Sequence, residues 1–262
     1  MRQIFPVPDA SKSALGLAAG PLMEPITAGT PGATELVAEL AAVYAYPDDR
    51  VTVRANMIAT VDGAISVDGR SGGLSGAADR LLFTVLRGLA DVILVGAGTA
   101  RTERYGLAKP TWPQLRQGRT AAPPIAVVTR RLSLDLDGQL VRGDGVRTIV
   151  LTTRQAPADL RAAAAQTAEV IVAGDDDVSG QAAIDTLVEL GYRRILVEGG
   201  PTLLGEIASA GRLDELCVTT SPRIAGGQAR RMIQSPSAAP AGMTLASVLE
   251  DDGFLLSRYV AG

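Results

Sequence analysis

Histidine is absent from the 262-residue chain and cysteine occurs once, as Cys217. Without imidazole the chain cannot supply a Ser-His-Asp or Cys-His catalytic group, nor the usual ligands of a catalytic zinc, so no metal site is expected. A lone thiol makes neither an internal disulfide nor a CxxC site, and between Leu216 and Val218 it reads as a small buried hydrophobe. Long apolar runs are missing too: no window approaches the roughly 18 residues a membrane helix needs. Neither sign of charge dominates, with 25 basic against 28 acidic residues and a net charge of −3. The basic residues are scattered, which leaves no electrostatic footprint for nucleic acid or an anionic membrane and points to small-molecule partners. The apolar stretch Leu15 to Leu22 is broken by Gly20 and Pro21, a poor secretory signal, so the expected location is the cytoplasm.

What is present is enough apolar material for a full core, 47% of the residues, arranged in a repeating texture from Val51 onward. Strand-like runs occur at Val51 to Ala59, Val92 to Val95, Ile125 to Thr129, Arg147 to Leu151, Val170 to Val172, Arg194 to Val197, Glu215 to Thr219 and Phe254 to Val260. Between them, helices are predicted at Ala77 to Leu89, Ala158 to Gln166, Gly180 to Leu190 and Pro201 to Ala210, with Ser75 as N-cap of the first and Asp79 in its first turn. Strands alternating with crossover helices make an α/β protein with a mostly parallel central sheet and helices on both faces. The last two strands, with no helix between them, form an antiparallel C-terminal pair. Residues 1–50 read as an accessory arm with one helical pattern, Glu35 to Tyr46, started by Thr30-Pro31. Residues 51–262 form the main domain, and the Pro-rich stretch Pro110 to Pro124 is a surface connection inside it.

Two strands run into glycine turns. Val92 to Val95 ends in Gly96-Ala97-Gly98-Thr99, where glycines admit a ligand to the backbone and Thr99 could cap a helix facing an anion. Ile195 to Val197 ends in Glu198-Gly199-Gly200-Pro201-Thr202, with Pro201 at a natural first helical position. Either turn could hold a pyrophosphate or use glycine for steric reasons alone, and neither fits GxGxxG. Thr129-Arg130-Arg131 ends another strand, as a grip for a ribose 2′-phosphate or as a solvated basic turn. Asn56 is a carboxamide in an otherwise apolar strand, needing a partner that a ligand ring or the backbone could supply. Asp62-Gly63 beyond it could simply be a hairpin turn.

Taken together, Thr60-Val61-Asp62-Gly63, Ala90 to Thr99, Leu196 to Gly200, Leu213 to Leu216 and Ser221-Pro222 resemble the pyrimidine reductases of riboflavin biosynthesis and the reductase half of the bifunctional deaminase-reductase. The resemblance covers about residues 51 to 260. It implies a dihydrofolate-reductase-like fold binding NADPH at the carboxyl ends of the sheet, a homodimer, and reduction of the ribosyl group of 5-amino-6-(5-phosphoribosylamino)uracil to the ribityl form without metal. The companion deaminase motifs need His and several Cys, which this chain lacks. On this resemblance Thr60, Gly96, Gly98, Thr99, Thr129, Arg130, Gly199, Gly200, Thr202 and Leu203 contact the cofactor. Asn56 holds the substrate, and Asp62 and Glu198 position it or handle a proton. The chain departs from the bifunctional pattern at Asn56, where lysine is usual, and at Glu103-Arg104-Tyr105, in place of Asp-x-Pro.

Two other readings stay open. Asp79 could pair with a 2-amino-4-oxo ring, which would make the chain a pteridine reductase, or it could simply favour the helix dipole. A non-catalytic nucleotide-binding protein is the other. A phosphorylated substrate would need an arginine, for which Arg54, Arg80, Arg87, Arg101, Arg104 and Arg223 are available.

Overall fold

The computed structural model describes residues 1–5, 32–109, 121–236 and 240–262. The Leu15 to Leu22 stretch, the Thr30-Pro31 helix start and most of Pro110 to Pro124 lie outside the described residues.

A single ten-stranded sheet organises the chain, built from β1 (Arg2–Phe5), β2 (Thr52–Thr60), β3 (Val92–Gly96), β4 (Ile125–Val128), β5 (Ile149–Thr152), β6 (Glu169–Val172), β7 (Arg194–Val197), β8 (Glu215–Ser221), β9 (Met243–Asp251) and β10 (Phe254–Ala261). Its order is β1-β9-β10-β8-β2-β7-β3-β4-β5-β6. From β8 to β6 every neighbouring pair is parallel. The expected antiparallel pair is β8 with β10. Two strands were not expected, β9 as the hairpin partner of β10 and β1 beyond it. β9 escapes a search for apolar runs because it sits in the antiparallel margin, where one face need not be apolar and only Ser247 and Leu249 are buried.

The helices are α1 (Ala33–Val43), α2 (Ala77–Leu89), α3 (Ala97–Thr102), α4 (Gln139–Arg142), α5 (Ala158–Ala164), α6 (Gly180–Glu189) and α7 (Pro201–Ser209). They cover both faces, and the pleat decides which residue meets which. On β3, Ile93 and Val95 join the core beneath α1 and α2, while Val92 and Leu94 join the core beneath α6 and α7. Gly180 exists for the second contact: a Cβ there would come within 2.8 Å of Ile207. Two caps differ from expectation. Gly76, not Ser75, precedes α2, and the Ser75 hydroxyl instead donates to the Asp79 carboxylate at 2.6 Å. α3 starts at Ala97, so Thr99 lies inside it rather than capping it.

The N-terminal helix is tied to the sheet by charge. Arg54 on β2 and Arg258 on β10 share the Glu215 carboxylate of β8 at 2.7 and 3.1 Å. Two cations around one anion leave surplus positive charge, which the carbonyl-rich C-terminal end of α1 offsets. Arg54 donates to the Tyr44 carbonyl at 2.7 Å and Arg258 to that of Val43. The Arg54 guanidinium also stacks 3.8 Å from the Tyr46 ring centroid. Arg54 is therefore fully buried and committed to structure, which corrects its candidacy as a phosphate ligand. Cys217 is buried beside this cluster, and burial pushes its thiol up to about 12.

Candidate active site

Parallel strands carry their following loops to one edge, and that is where a cavity of about 1190 Å³ opens. The two glycine turns meet there. The Gly96 amide donates to the Gly199 carbonyl at 2.9 Å, which sets the amino ends of α3 and α7 side by side. Gly200 is required by closeness: a Cβ there would lie 2.5 Å from the Thr99 hydroxyl. Gly199 has φ +86 and joins Gly200 through a cis peptide. First-turn amides of a helix have no partner inside it, so those of Thr202 and Leu203 in α7 are open to an anion.

Of the residues singled out above, Asn56, Gly96, Gly98, Thr99, Thr129, Arg130, Glu198, Gly200, Thr202 and Leu203 line this cavity. Thr60, Asp62 and Gly199 do not. Asp62 is exposed beyond the end of β2. Its carboxylate accepts from the Thr60 hydroxyl and from the amides of Ala225 and Gly226, the latter at 2.7 Å. Those three donors, Thr60 first, hold its pKa down to about 2. Asp62 is thus a fully engaged anion clamping one loop to another, not a proton carrier facing the cavity.

Glu198 faces the cavity from the end of β7 but is equally engaged. Arg87 of α2 grips both its oxygens at 2.7 Å, and the Tyr105 hydroxyl donates to one of them at 2.6 Å. The Arg87 guanidinium lies 4.2 Å from the Phe83 ring centroid and 5.3 Å from that of Tyr105. Burial works against the charge of Arg87, but the Glu198 carboxylate and its hydrogen bonds win and raise the pKa. Burial, reinforced by Glu198, raises that of Tyr105, so the phenol keeps its proton. Tyr105, noted in the sequence only as a departure from a pattern, is a wall of the site. Its partnership with a carboxylate 93 positions away has no local signal.

Asn56 is a carboxamide in the cavity wall. Half-buried on β2, its Oδ1 finds no partner among the described residues, and such an orphan is costly unless a ligand satisfies it. Asp79 also lines the cavity, nearly buried, as does Glu103, which accepts from the Ser71 amide at 2.8 Å. At the far end Thr129 is buried, accepting from the Ser133 amide at 3.0 Å, while Arg130 and Arg131 are exposed on the cavity lining. Of the other arginine candidates, Arg80 and Arg101 line the cavity, and Arg101 donates to the Ser133 carbonyl at 2.6 Å. Arg104 and Arg223 do not line it, and Arg223 is spent on the Gly73 carbonyl.

A sequence model of the RibD C-terminal domain matches residues 51–254. The 2,5-diamino-6-ribosylamino-4(3H)-pyrimidinone 5′-phosphate reductase of Archaeoglobus fulgidus is 32% identical over 184 residues, 68% of this chain and 84% of that protein. The enzyme of the same name from Methanothermobacter thermautotrophicus is 30% identical over 182 residues, 68% of this chain and 81% of that one. A pyrimidine reductase-like protein from Corynebacterium diphtheriae superposes with a TM-score of 0.75 at 26% identity, covering 85% of this chain and 98% of that structure. With the expected dihydrofolate-reductase-like sheet in place and the family's sequence pattern spanning the residues that build the cavity, the chain belongs to the RibD C-terminal domain family.

Proposed function

We propose that this oxidoreductase uses NADPH to reduce the ribosyl group of a phosphorylated pyrimidine of the riboflavin pathway to the ribityl form. The observation that carries the reading is one continuous cavity with an anion-ready pair of helix ends in its middle, free guanidiniums at one end and an unpartnered amide at the other. The donor set fits a dinucleotide. Gly98, Thr99, Thr202 and Leu203 would hold its pyrophosphate, and Thr129 with Arg130 the phosphorylated adenosine ribose. The bound cofactor supplies the hydride. The chain's own task is to hold the sugar carbon against it and exclude water. Asn56 meets the pyrimidine or sugar, while Glu198, fixed by Arg87 and Tyr105, presents a rigid polar wall.

Asp79 bears on which pyrimidine is used. A carboxylate pairs well with an amino group at ring position 2, present in the diamino compound for which the two archaeal relatives are named and replaced by oxygen in the deaminated uracil. The same carboxylate keeps a pteridine, which carries that amino group, as the second reading. NADPH oxidation followed with the diaminopyrimidinone phosphate, its deaminated counterpart and dihydrofolate ranks all three. Turnover of either pyrimidine well above dihydrofolate is the expected result. NADH supporting the reaction as well as NADPH would remove the 2′-phosphate assignment. No oxidation with any of them despite tight NADPH binding would favour a nucleotide-binding protein.

We also infer a cytoplasmic homodimer whose reductase domain is residues 51–262; the expected accessory arm is corrected in part, since β1 extends the domain's sheet and α1 packs into its core. Sedimentation at micromolar concentration is expected to give twice the 27.0 kDa chain mass.

A further inference from the structure

The segment 222–236 has no helix or strand, yet it is fastened at both ends. At its start the Asp62 carboxylate receives the Ala225 and Gly226 amides, and the Arg223 carbonyl accepts from the Val61 amide at 3.1 Å. At its end the Gln234 amide donates to the Pro201 carbonyl at 3.0 Å, and the Gln234 carbonyl presses so closely on α7 that a Cβ on Gly205 would overlap it. Between the fastenings the backbone turns through Gly226 and Gly227, with φ +64 and +69, and passes over the cavity, where Gln228, Ala229 and Arg230 join its lining. Arg230 is exposed and makes no ion pair or side-chain hydrogen bond among the described residues. It is a free cation on a strap moored to the first residue of α7.

We propose that Asp62 is a positioning residue: by anchoring the strap 222–236 it presents Arg230 to the anionic middle of a bound dinucleotide at the amino end of α7. This rests on the cofactor reading above. The role suits each partner. An exposed carboxylate that takes two backbone amides of the strap and the Thr60 hydroxyl is an anchor, and an exposed guanidinium lining the same cavity as open helix amides is half of a phosphate grip. Left-handed backbone at two successive glycines lets the strap leave the anchor and turn inward, a path few side chains tolerate. The segment thereby gains a function that its exposed, irregular chain gives no hint of.

The test combines two variants, Asp62→Ala and Arg230→Ala, and two readouts. NADPH affinity, by calorimetry on the full chain, is expected to fall roughly 10- to 100-fold for Arg230→Ala, as for loss of one charge-assisted phosphate contact. Asp62→Ala should fall comparably, and the double variant little further, because the anchor acts through the arginine. Asp62→Asn, which keeps one acceptor oxygen, should recover part of the loss. Without any ligand, trypsin should cut the strap after Arg230 or Arg231 several times faster in Asp62→Ala than in the parent chain, while the thermal midpoint shows that both are folded. Additive losses, or unchanged affinity in Arg230→Ala while the parent binds NADPH, would overturn the proposal and leave the cofactor reading standing. A parent chain that binds no NADPH would overturn both, whatever trypsin reports about the anchor.

Discussion

Two glutamate–arginine assemblies sit in the same sheet, and they differ in what lies on their open side. Glu215 with Arg54 and Arg258 is sealed at its centre: the side chains of Arg54 and Glu215 are 0% and 1% exposed, Arg258 reaches the surface at 18%, and carbonyls at the end of α1 take further donors. Glu198 with Arg87 is nearly as buried, at 2% and 17%, but one flank is a cavity and the third partner is a phenol instead of a second cation. Both use an aromatic ring beneath a guanidinium, which is less strongly hydrated than an ammonium and tolerates that burial. The lesson is that the chemistry of such a pair does not tell structure from site. The cavity beside it does: Glu198 and Tyr105 line one, Glu215 and Arg258 do not.

The comparison breaks most sharply where the sealed assembly is opened. Glu215→Ala leaves the buried Arg54 and the partly exposed Arg258 without their carboxylate and is expected to cost about 3–5 kcal/mol, read from denaturant unfolding. Deleting residues 1–46 removes the Val43 to Ala45 carbonyls and the Tyr46 ring, and should lower the thermal midpoint comparably or prevent folding. At the site, Glu198→Gln is expected to cost less stability, roughly 1.5–3 kcal/mol, because solvent in the cavity can reach the bereft Arg87. Its turnover should fall more than its cofactor affinity, since the proposed function sets Glu198 against the substrate. Equal destabilisation by the two substitutions would erase the distinction.

A finer contrast comes from tyrosines. Tyr105→Phe removes a donor from Glu198 and should cost about 1 kcal/mol together with some turnover. Tyr44→Phe removes a buried hydroxyl that has no partner among the described residues, and should be neutral or slightly stabilising by the same melting measurement. The smallest effect is on pH. The Asp62 carboxyl titrates lower in the folded chain, about 2 against 3.8, so its anchoring is complete above the ordinary value and lost as pH falls through about 2. The Ala225 and Gly226 amide resonances should shift together through that range.

How far the sequence reached depends on the range of the forces involved. α2 and β7 carry their bounds in the local pattern, thirteen and four residues with apolar positions at the helical and buried-strand spacing, and the structure ends them where the pattern does. The glycine turns were legible because glycine is chosen for backbone reasons that operate within a few residues. β9 was not, since an antiparallel margin needs no apolar run. Arg54 misled because a guanidinium in an apolar strand looks like a ligand grip when its counter-ion is 161 residues away. Arg87 was visible only as one arginine among several, and Tyr105 only as an oddity, for the same reason. Asp62 was singled out, but its partners in the strap were out of sight.

The contact between Gly200 and Thr99 has a consequence for how this protein can vary. With 2.5 Å between the hydroxyl and any carbon added at position 200, the two positions form one steric unit joining distant parts of the chain. Alanine at 200 would fit beside a residue smaller than threonine at 99 or with the Thr99 hydroxyl turned away, and bulk at 99 would hold 200 to glycine. Among descendants of this sequence the two positions should therefore change together or not at all, and a library randomised at both should return compensated pairs, with single substitutions largely missing from the survivors.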